Sequence, residues 1–395
     1  MEVAVNFSRS EGFRTPKKQV SRRTILGGAG ALAAGLAVTS LSGCTTGASA
    51  GGNKEVNFLA WPGHGDKSLL EPFEKATGIK VRVKEYADAS QMVALATTSP
   101  PGTYDVLMVD PEFIEQLRAA DALQPLDPND YPSAERSFIT ELRPSSHFPV
   151  HWYGGQMYAL AWAFNYNALA YNTDLFKKEE VASYDVLTSA KAKGRVGFQD
   201  WWSNPLGPIS MWAGNKDPYS LTSARFEELR RTLMSLRPQA AGFYTVANVI
   251  QNLGTGQISL VPGAGSTFTV GLQRDGRPVS SVVPKEGAVQ YTESLALFKG
   301  ARNTEAARKF IQYCISPEGC AAKAILPSYQ GIPANEESWR LIRDKHQDWA
   351  TLLGLNSSGE NALTPMREGR TAVRKLPDHQ KVEDWQALWT DFKNA

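Results

Sequence analysis

The first folded stretch of the chain alternates between strand-like and helix-like spacing of hydrophobic residues. Segments 55–61 (EVNFLAW), 79–83 (IKVRV) and 105–109 (DVLMV) are typical of strands. Between the first two, the stretch 66–78 has apolar residues at helical spacing, an aspartate suited to cap its start and a Thr-Gly pair at its end. A second helix is predicted from about Ser90. This β-α-β-α-β order predicts an α/β fold with a mainly parallel sheet flanked by helices.

Later segments continue in the same style. Residues 158–172 (YALAWAFNYNALAYN) are apolar and aromatic, and we expect them to form a strand that enters a second lobe. Further strands are predicted at 195–200, 257–262 and 280–284, and helices at 223–236, 305–314 and 382–392. About 350 residues follow position 43, which is too many for one ordinary core and suits two lobes.

The N-terminus has the pattern of an export signal. A basic stretch containing Arg22 and Arg23 precedes an apolar run of about fourteen residues, 25–38, which is too short to span a bilayer of about 30 Å. A basic region followed by a short apolar region indicates a secretory signal peptide. The segment 21–26 (SRRTIL) resembles the twin-arginine export signal.

The residues after the apolar run, 41–44 (LSGC), resemble a bacterial lipobox. We therefore expect residues 1–43 to be removed and Cys44 to become lipidated, with 44–54 as a flexible tether rich in small residues. Anchoring through such a lipid would place the protein in the periplasm or on the outer face of the cell envelope. A lone cysteine after a signal peptide, or an uncleaved anchor, is the alternative.

Charge and cysteine content narrow the possible functions. Residues 1–43 carry six Lys or Arg and two acidic residues, a net of +4; because the whole chain carries +2, the remainder carries −2. That balance gives no reason to expect nucleic acid as a partner. Cys314 and Cys320 could form a disulfide in an oxidising compartment, and two buried free thiols remain equally open. With five histidines and no Cys-x-x-Cys, neither a metal site nor a cofactor is predicted.

Polar and aromatic residues stand just past the predicted strand ends. Trp61 and His64 follow the first strand, and Asp110 and Glu112 follow the third. Ligands of such sheets bind at the carboxyl ends of the strands, so these four residues are candidates for a binding site. Each also has an ordinary interpretation: a core tryptophan, a turn histidine, a helix cap and a first-turn acid.

Five segments together resemble the spermidine/putrescine-type periplasmic binding proteins of ABC importers. They are Trp61 after a strand, 73–81 (FEKATGIKV), 104–106 (YDV), 284–287 (PKEG) and 291–296 (YTESLA). The resemblance implies two α/β lobes that close on a ligand by hinge motion. It places 55–164 and about 292–333 in the first lobe, and about 165–291 and 334–395 in the second.

The resemblance also implies a ligand site. The family stacks an aromatic residue after the first strand, where Trp61 stands, and pairs an aromatic with an acid after the PKEG segment. The second lobe offers fewer acids than the polyamine binders carry, and of Trp201 and Trp202 one is expected to pack internally. The implied ligand-binding residues are Trp61, His64, Asp110, Glu112, Asp200, Trp201, Tyr291 and Glu293.

Carboxylates beside aromatic faces favour a cationic solute. A buried ammonium group needs a carboxylate or carbonyl partner, and an aromatic face adds about 0.5–2 kcal/mol. The resemblance predicts the substrate-binding component of an ABC importer for a polyamine-like or other amine-containing solute, acting as a monomer with permease subunits. The alternatives are a cleft enzyme of the same fold, thiaminase-like with a catalytic cysteine, and a binding protein for a non-amine solute. We expect no catalytic activity, because neither remaining cysteine lies near a strand end.

Overall fold

A computed structural model describes residues 55–327 and 329–395. The predicted signal peptide with Arg22 and Arg23, and Cys44 with its tether, lie outside the described residues. Within the described ranges, no helix is both long and apolar enough to cross a membrane.

The strands and helices alternate along the chain. The strands are β1 (Glu55–Ala60), β2 (Lys80–Glu85), β3 (Val106–Val109), β4 (Leu123–Gln124), β5 (Trp152–Tyr153), β6 (Gln156–Met157), β7 (Leu160–Asn167), β8 (Leu169–Asn172), β9 (Val196–Gln199), β10 (Ala240–Tyr244), β11 (Leu260–Pro262), β12 (Val279–Val282), β13 (Ala288–Phe298), β14 (Ile332–Pro333) and β15 (Thr371–Val373). The α-helices are α1 (Lys67–Thr77), α2 (Ala89–Thr98), α3 (Pro111–Ala119), α4 (Pro132–Ser137), α5 (Ser203–Trp212), α6 (Ser223–Ser235), α7 (Val246–Thr255), α8 (Ser266–Arg274), α9 (Thr304–Cys314), α10 (Pro317–Ala324), α11 (Glu336–Lys345), α12 (Gln347–Leu352), α13 (Thr364–Arg367) and α14 (Val382–Asn394).

The first β-α-β-α-β unit forms as the hydrophobic pattern predicts. Asp66 caps α1 by accepting a hydrogen bond from the Ser68 amide at 2.8 Å. Gly78, with a φ of 68°, ends the helix in the left-handed conformation that a glycine adopts without a steric penalty. Asp88 caps α2 in the same manner as Asp66, accepting from the Gln91 amide. Strand β1 then lies between β2 and β3 and is parallel to both.

The larger sheet has the order β14-β7-β13-β3-β1-β2, with β4 and β15 also pairing with β13. The prediction of parallel strands is right for β1, β2 and β3. The long, wholly buried β13 adds antiparallel pairs with β3, β4 and β7. The smaller sheet, β10-β9-β11-β8-β12, is mixed in the same way, with β8 antiparallel to both its neighbours.

The chain passes between the two sheets by short connections. Strand β7 belongs to the larger sheet and β8, one residue later, to the smaller, so segment 158–172 does enter a second lobe as predicted. The two-lobe α/β class is confirmed. The exact lobe limits stay a prediction: beyond position 334, the buried residues of α11 and α12 join the core of the larger sheet, and those of α14 join that of the smaller.

Candidate functional site

A cavity of about 380 Å³ lies where strands of both sheets end, and we refer to it as the cleft. Trp61 and Asp110 enter it directly after β1 and β3. From the smaller sheet, Gln199 at the end of β9 and Thr245 after β10 line the opposite side. The carboxyl ends of parallel strands therefore supply the cleft, as the α/β topology leads one to expect.

Two tryptophans, one from each lobe, lie close together in the cleft with their ring planes tilted by 48°. The ring centroids of Trp61, from the larger sheet, and Trp201, from the smaller, lie 6.5 Å apart. Phe113 at the start of α3 stacks behind Trp201, with centroids at 6.4 Å and nearly parallel planes. Trp202 instead packs against Trp385 in the core of the smaller sheet. Trp201 is thus the cleft member of the pair, and Trp202 is the packing member.

Arg374 connects elements of both lobes behind the tryptophans. Its side chain is 2% exposed, and its Nε donates to Glu112 Oε2 at 2.9 Å. Its Nη1 donates to the amide oxygens of Asn204 and Asn167, at 3.1 and 3.3 Å. Its Nη2 lies 3.2 Å from Asp110 Oδ1. One guanidinium therefore contacts two carboxylates that follow β3 and an amide at the start of α5.

Arg374 is also held between two aromatic rings. Its guanidinium carbon lies 4.4 Å from the ring centroid of Tyr291 and 5.3 Å from that of Trp201. The Tyr291 hydroxyl is in turn hydrogen bonded to Thr267 at 3.1 Å. Burial opposes the charged form of the guanidinium, but Glu112 and Asp110 more than offset it, so the pKa of Arg374 is raised and the group stays a cation.

Asp110 has an unusual protonation equilibrium. Burial raises the pKa of its carboxyl from 3.8 to about 7; Arg374 opposes the rise, and the carboxylates of Glu112 and Glu293 add to it. The indole Nε1 of Trp61 donates to Asp110 Oδ2 at 3.3 Å. Asp110 is therefore a cleft carboxyl that is only partly ionised near neutral pH.

Glu293 forms a second ion pair, which is fully buried. Its carboxylate lies 2.6 Å from the ammonium of Lys323, and both side chains are fully buried. Asn165 donates to the second carboxylate oxygen at 2.9 Å. Burial raises the pKa of Glu293, and Lys323 works against that rise. Glu293 is not one of the residues that line the cleft. Its two carboxylate oxygens are engaged by Lys323 and Asn165.

The remaining predicted site residues lie away from the cleft surface. His64 is fully buried, with its Nδ1 2.9 Å from the Trp61 carbonyl. Burial, with Lys323 nearby, lowers the pKa of His64 to about 3 and keeps the ring neutral. Asp200 accepts hydrogen bonds from Trp389 and Lys393 of α14, at 3.1 and 2.8 Å, and so anchors the C-terminal helix.

Four of the eight residues predicted for ligand binding line the cleft: Trp61, Asp110, Trp201 and Tyr291. Glu112 and Glu293 lie behind it in ion pairs, and His64 and Asp200 have the positions described above. The sequence reasoning missed Arg374, Lys323 and the apolar residues Val246, Ile250 and Phe268. Val246 and Ile250 belong to α7, which follows β10, and Phe268 belongs to α8, which follows β11. A strand predicted at 240–244 would have identified Val246 and Ile250 as candidates, because they come just after its end. Arg374 follows the three-residue β15 and has no local signal.

In the structure Cys314 and Cys320 are free, buried thiols, which is the second of the two alternatives that the sequence left open. The Cys320 thiol contacts the carbonyl oxygens of Cys314 and Trp162 at 3.4 and 3.5 Å. Burial raises the pKa of Cys320 to about 12, and it also raises the pKa of Cys314 well above its ordinary value. Neither thiol is a reactive nucleophile in this setting, because nucleophilic attack requires the thiolate.

The chain is similar to a family of known proteins and to individual members with assigned names. A family model described as "Bacterial extracellular solute-binding protein" matches residues 68–352. The spermidine/putrescine-binding periplasmic protein 1 of Haemophilus influenzae is 26% identical over 296 residues, covering 73% of this chain and 80% of that protein. The spermidine/putrescine-binding periplasmic protein of Escherichia coli is also 26% identical over 296 residues, covering 73% and 78%.

Among solved structures, the fold is similar to that of the spermidine/putrescine ABC transporter substrate-binding protein PotD of Streptococcus pneumoniae. The TM-score is 0.70 at 18% identity, over 86% of this chain and 98% of that one. At this identity the likeness concerns the arrangement of the two lobes. The contents of the cleft have to be interpreted from this chain's own residues.

Proposed function

The chain belongs to the family of bacterial extracellular solute-binding proteins, and on that premise we propose that it is the substrate-binding component of an ABC importer. In this role it captures a small amine-containing solute in the cleft and delivers it to permease subunits. The named relatives bind spermidine and putrescine, which supports an amine as the recognised group. The family resemblance predicted from the sequence is confirmed by the family match.

One observation carries the amine assignment: the Asp110 carboxyl lies in the cleft with the neighbouring rings of Trp61 and Trp201. An ammonium group at this point would gain a charge-assisted hydrogen bond, worth about 1.5–3 kcal/mol, from Asp110. Each aromatic face would add about 0.5–2 kcal/mol of cation–π attraction. Contact with both rings at once requires closure, since one tryptophan comes from each lobe.

We also propose that the protein is exported and anchored outside the cytoplasmic membrane. The support is the N-terminal sequence: Arg22 and Arg23 before the apolar run, and Cys44 after it. The relatives are named as periplasmic proteins, which agrees with export. A monomer with its lipid in the membrane would present the cleft to solutes outside the cell and to the permease beside it.

The bound solute can be identified directly. Protein isolated from the cell envelope is unfolded, the released small molecules are identified by mass spectrometry, and the refolded protein is titrated calorimetrically with putrescine and spermidine. We expect an amine-containing solute at up to one molecule per chain, and Trp61→Ala should bind it ten- to a hundredfold more weakly with an unchanged thermal melt. Release of neutral or anionic solutes alone, with no heat on addition of any amine, would contradict the proposal.

A further inference from the structure

The buried charges around the cleft do not balance. Three carboxylates, Asp110, Glu112 and Glu293, are 4% exposed or less, as are the two cations Arg374 and Lys323. His64 adds no positive charge, because its lowered pKa keeps it neutral. With all three acids ionised, this cluster has one negative charge more than positive.

The hydrogen bonds identify which carboxylate is in excess. Glu293 has Lys323 at 2.6 Å and an amide donor on its other oxygen. Glu112 receives the Nε of Arg374 at 2.9 Å and the hydroxyl of Ser203 at 3.2 Å. Both are paired on both oxygens by groups of the protein.

Asp110 has longer contacts with its partners than Glu112 and Glu293 have, and unlike them it lines the cleft. It receives a long hydrogen bond from Trp61 at 3.3 Å and shares the guanidinium that Glu112 already holds, through Nη2 at 3.2 Å. Among the cleft-lining residues, Asp110 and Arg374 are the charged ones. The unmatched negative charge is therefore located at the cleft surface, on Asp110.

Among the residues that the structure describes, the rest of the cleft lining contains no carboxylate that could pair with a second ammonium group. Val246, Ala247, Ile250 and Phe268 make its far wall apolar, and the other two buried acids of the cluster, Glu112 and Glu293, already have internal cations. A second positive charge would be buried without a counter-charge on closure, which is strongly unfavourable.

We propose that the cleft selects a solute with one positive charge attached to an apolar body, that is, a monoamine in preference to a diamine or a longer polyamine. This inference rests on the proposed function, since it names the charge class of the solute that the same cleft captures. The ammonium pairs with Asp110 between Trp61 and Trp201, and the apolar body lies against the wall formed by α7 and the start of α8.

The test uses four probes of equal chain length: pentylamine, 1,5-diaminopentane, 5-aminopentanoate and 1-pentanol. Each is titrated calorimetrically into solute-free protein at pH 8. Pentylamine is expected to bind at least tenfold more tightly than 1,5-diaminopentane and than 5-aminopentanoate, and more tightly than 1-pentanol. In Asp110→Asn, the affinity for pentylamine should fall ten- to a hundredfold, while that for 1-pentanol stays within twofold.

Asp200→Asn is the matched control, because Asp200 also follows directly after a strand but lies outside the cleft, bound to Trp389 and Lys393 of α14; all affinities should stay within twofold. Equal or tighter binding of 1,5-diaminopentane would overturn the single-charge inference and leave the amine-capture proposal intact. Tighter binding of 5-aminopentanoate would overturn it in favour of a zwitterion held by Arg374. Absence of binding by both amines, with a non-amine solute released from the isolated protein, would overturn the inference and the proposed ligand class together.

Discussion

Replacing Asp110 by asparagine should stabilise the solute-free protein at alkaline pH. The change removes the unmatched charge but keeps the shape and an oxygen that can accept the hydrogen bond from Trp61. The groups that face this carboxyl are Arg374, Glu112, Glu293, Tyr86, Tyr291 and Tyr329. Three of these are tyrosines with raised pKa values, so they stay neutral throughout the range tested.

The magnitude follows from the raised pKa. The pKa of Asp110 is about 7 in the folded protein against 3.8 as its ordinary value, a difference of about three pKa units or about 4 kcal/mol at full ionisation. Because the ionised form is disfavoured in the folded state, this group stabilises the protein below about pH 4 and loses that contribution as pH rises through 7. Allowing for relaxation around the carboxylate and for the ion contact with Arg374, we expect Asp110→Asn to gain about 1–3 kcal/mol at pH 8.

The assay is urea unfolding of solute-free wild type, Asp110→Asn and Asp200→Asn at pH 5 and pH 8. The advantage of Asp110→Asn over wild type should be smaller at pH 5 than at pH 8, because at pH 5 wild type has lost only part of the contribution that disappears between about pH 4 and pH 7. Asp200→Asn should show no such change with pH. If Asp110→Asn is less stable than wild type at pH 8, the carboxylate is a net stabilising partner of Arg374, and the reasoning about an excess charge is wrong.

Three further changes test the anchor, the export route and the second ion pair. Cys44→Ala should fold but appear in the soluble fraction without lipid label; retention in the membrane fraction would contradict the lipid anchor. Replacing Arg22 and Arg23 by lysine keeps the charge but loses the paired guanidinium groups, so export should fall sharply; normal export in a strain lacking the twin-arginine translocase would point to the general secretory route. Glu293→Gln leaves the Lys323 ammonium buried without its counter-charge and should cost about 3–5 kcal/mol in urea unfolding. Lys323→Met added to it should recover most of that loss, and failure to recover would show that the lysine was not the cause.

The sequence predicted those helices and strands in which hydrophobic spacing and local residue propensities indicate the same element. The β1-α1-β2-α2-β3 unit, α6, α9 and α14 all lie within a few residues of their predicted positions. Helix α5 (SNPLGPISMW) was missed because prolines and glycine argue against a helix. Gly207 is needed there for packing: a Cβ atom at this position would lie 2.5 Å from the Tyr219 hydroxyl and 2.7 Å from Val289. Tertiary packing of a segment that is buried from Ser203 to Met211 outweighed local propensity.

The sequence predicted where the candidate site lies, but it did not predict which of its carboxylates are free to pair with a solute. Asp110, Glu112 and Glu293 were identified by strand ends and by family resemblance, which depend on neighbouring sequence. Whether a carboxylate is available to a solute depends on cations that come from elsewhere in the chain. Arg374 lies 262 positions from the Glu112 that it binds, and no motif marks it.

The buried cations therefore determine how many carboxylates are available to a ligand, and so whether this chain can bind the same ligand as its relatives. A polyamine needs several carboxylates that the protein itself leaves free. Here Lys323 engages Glu293 and Arg374 engages Glu112, which leaves Asp110 as the carboxylate available in the cleft. The fold and the aromatic faces can be shared with polyamine-binding relatives while the number of charges recognised is reduced.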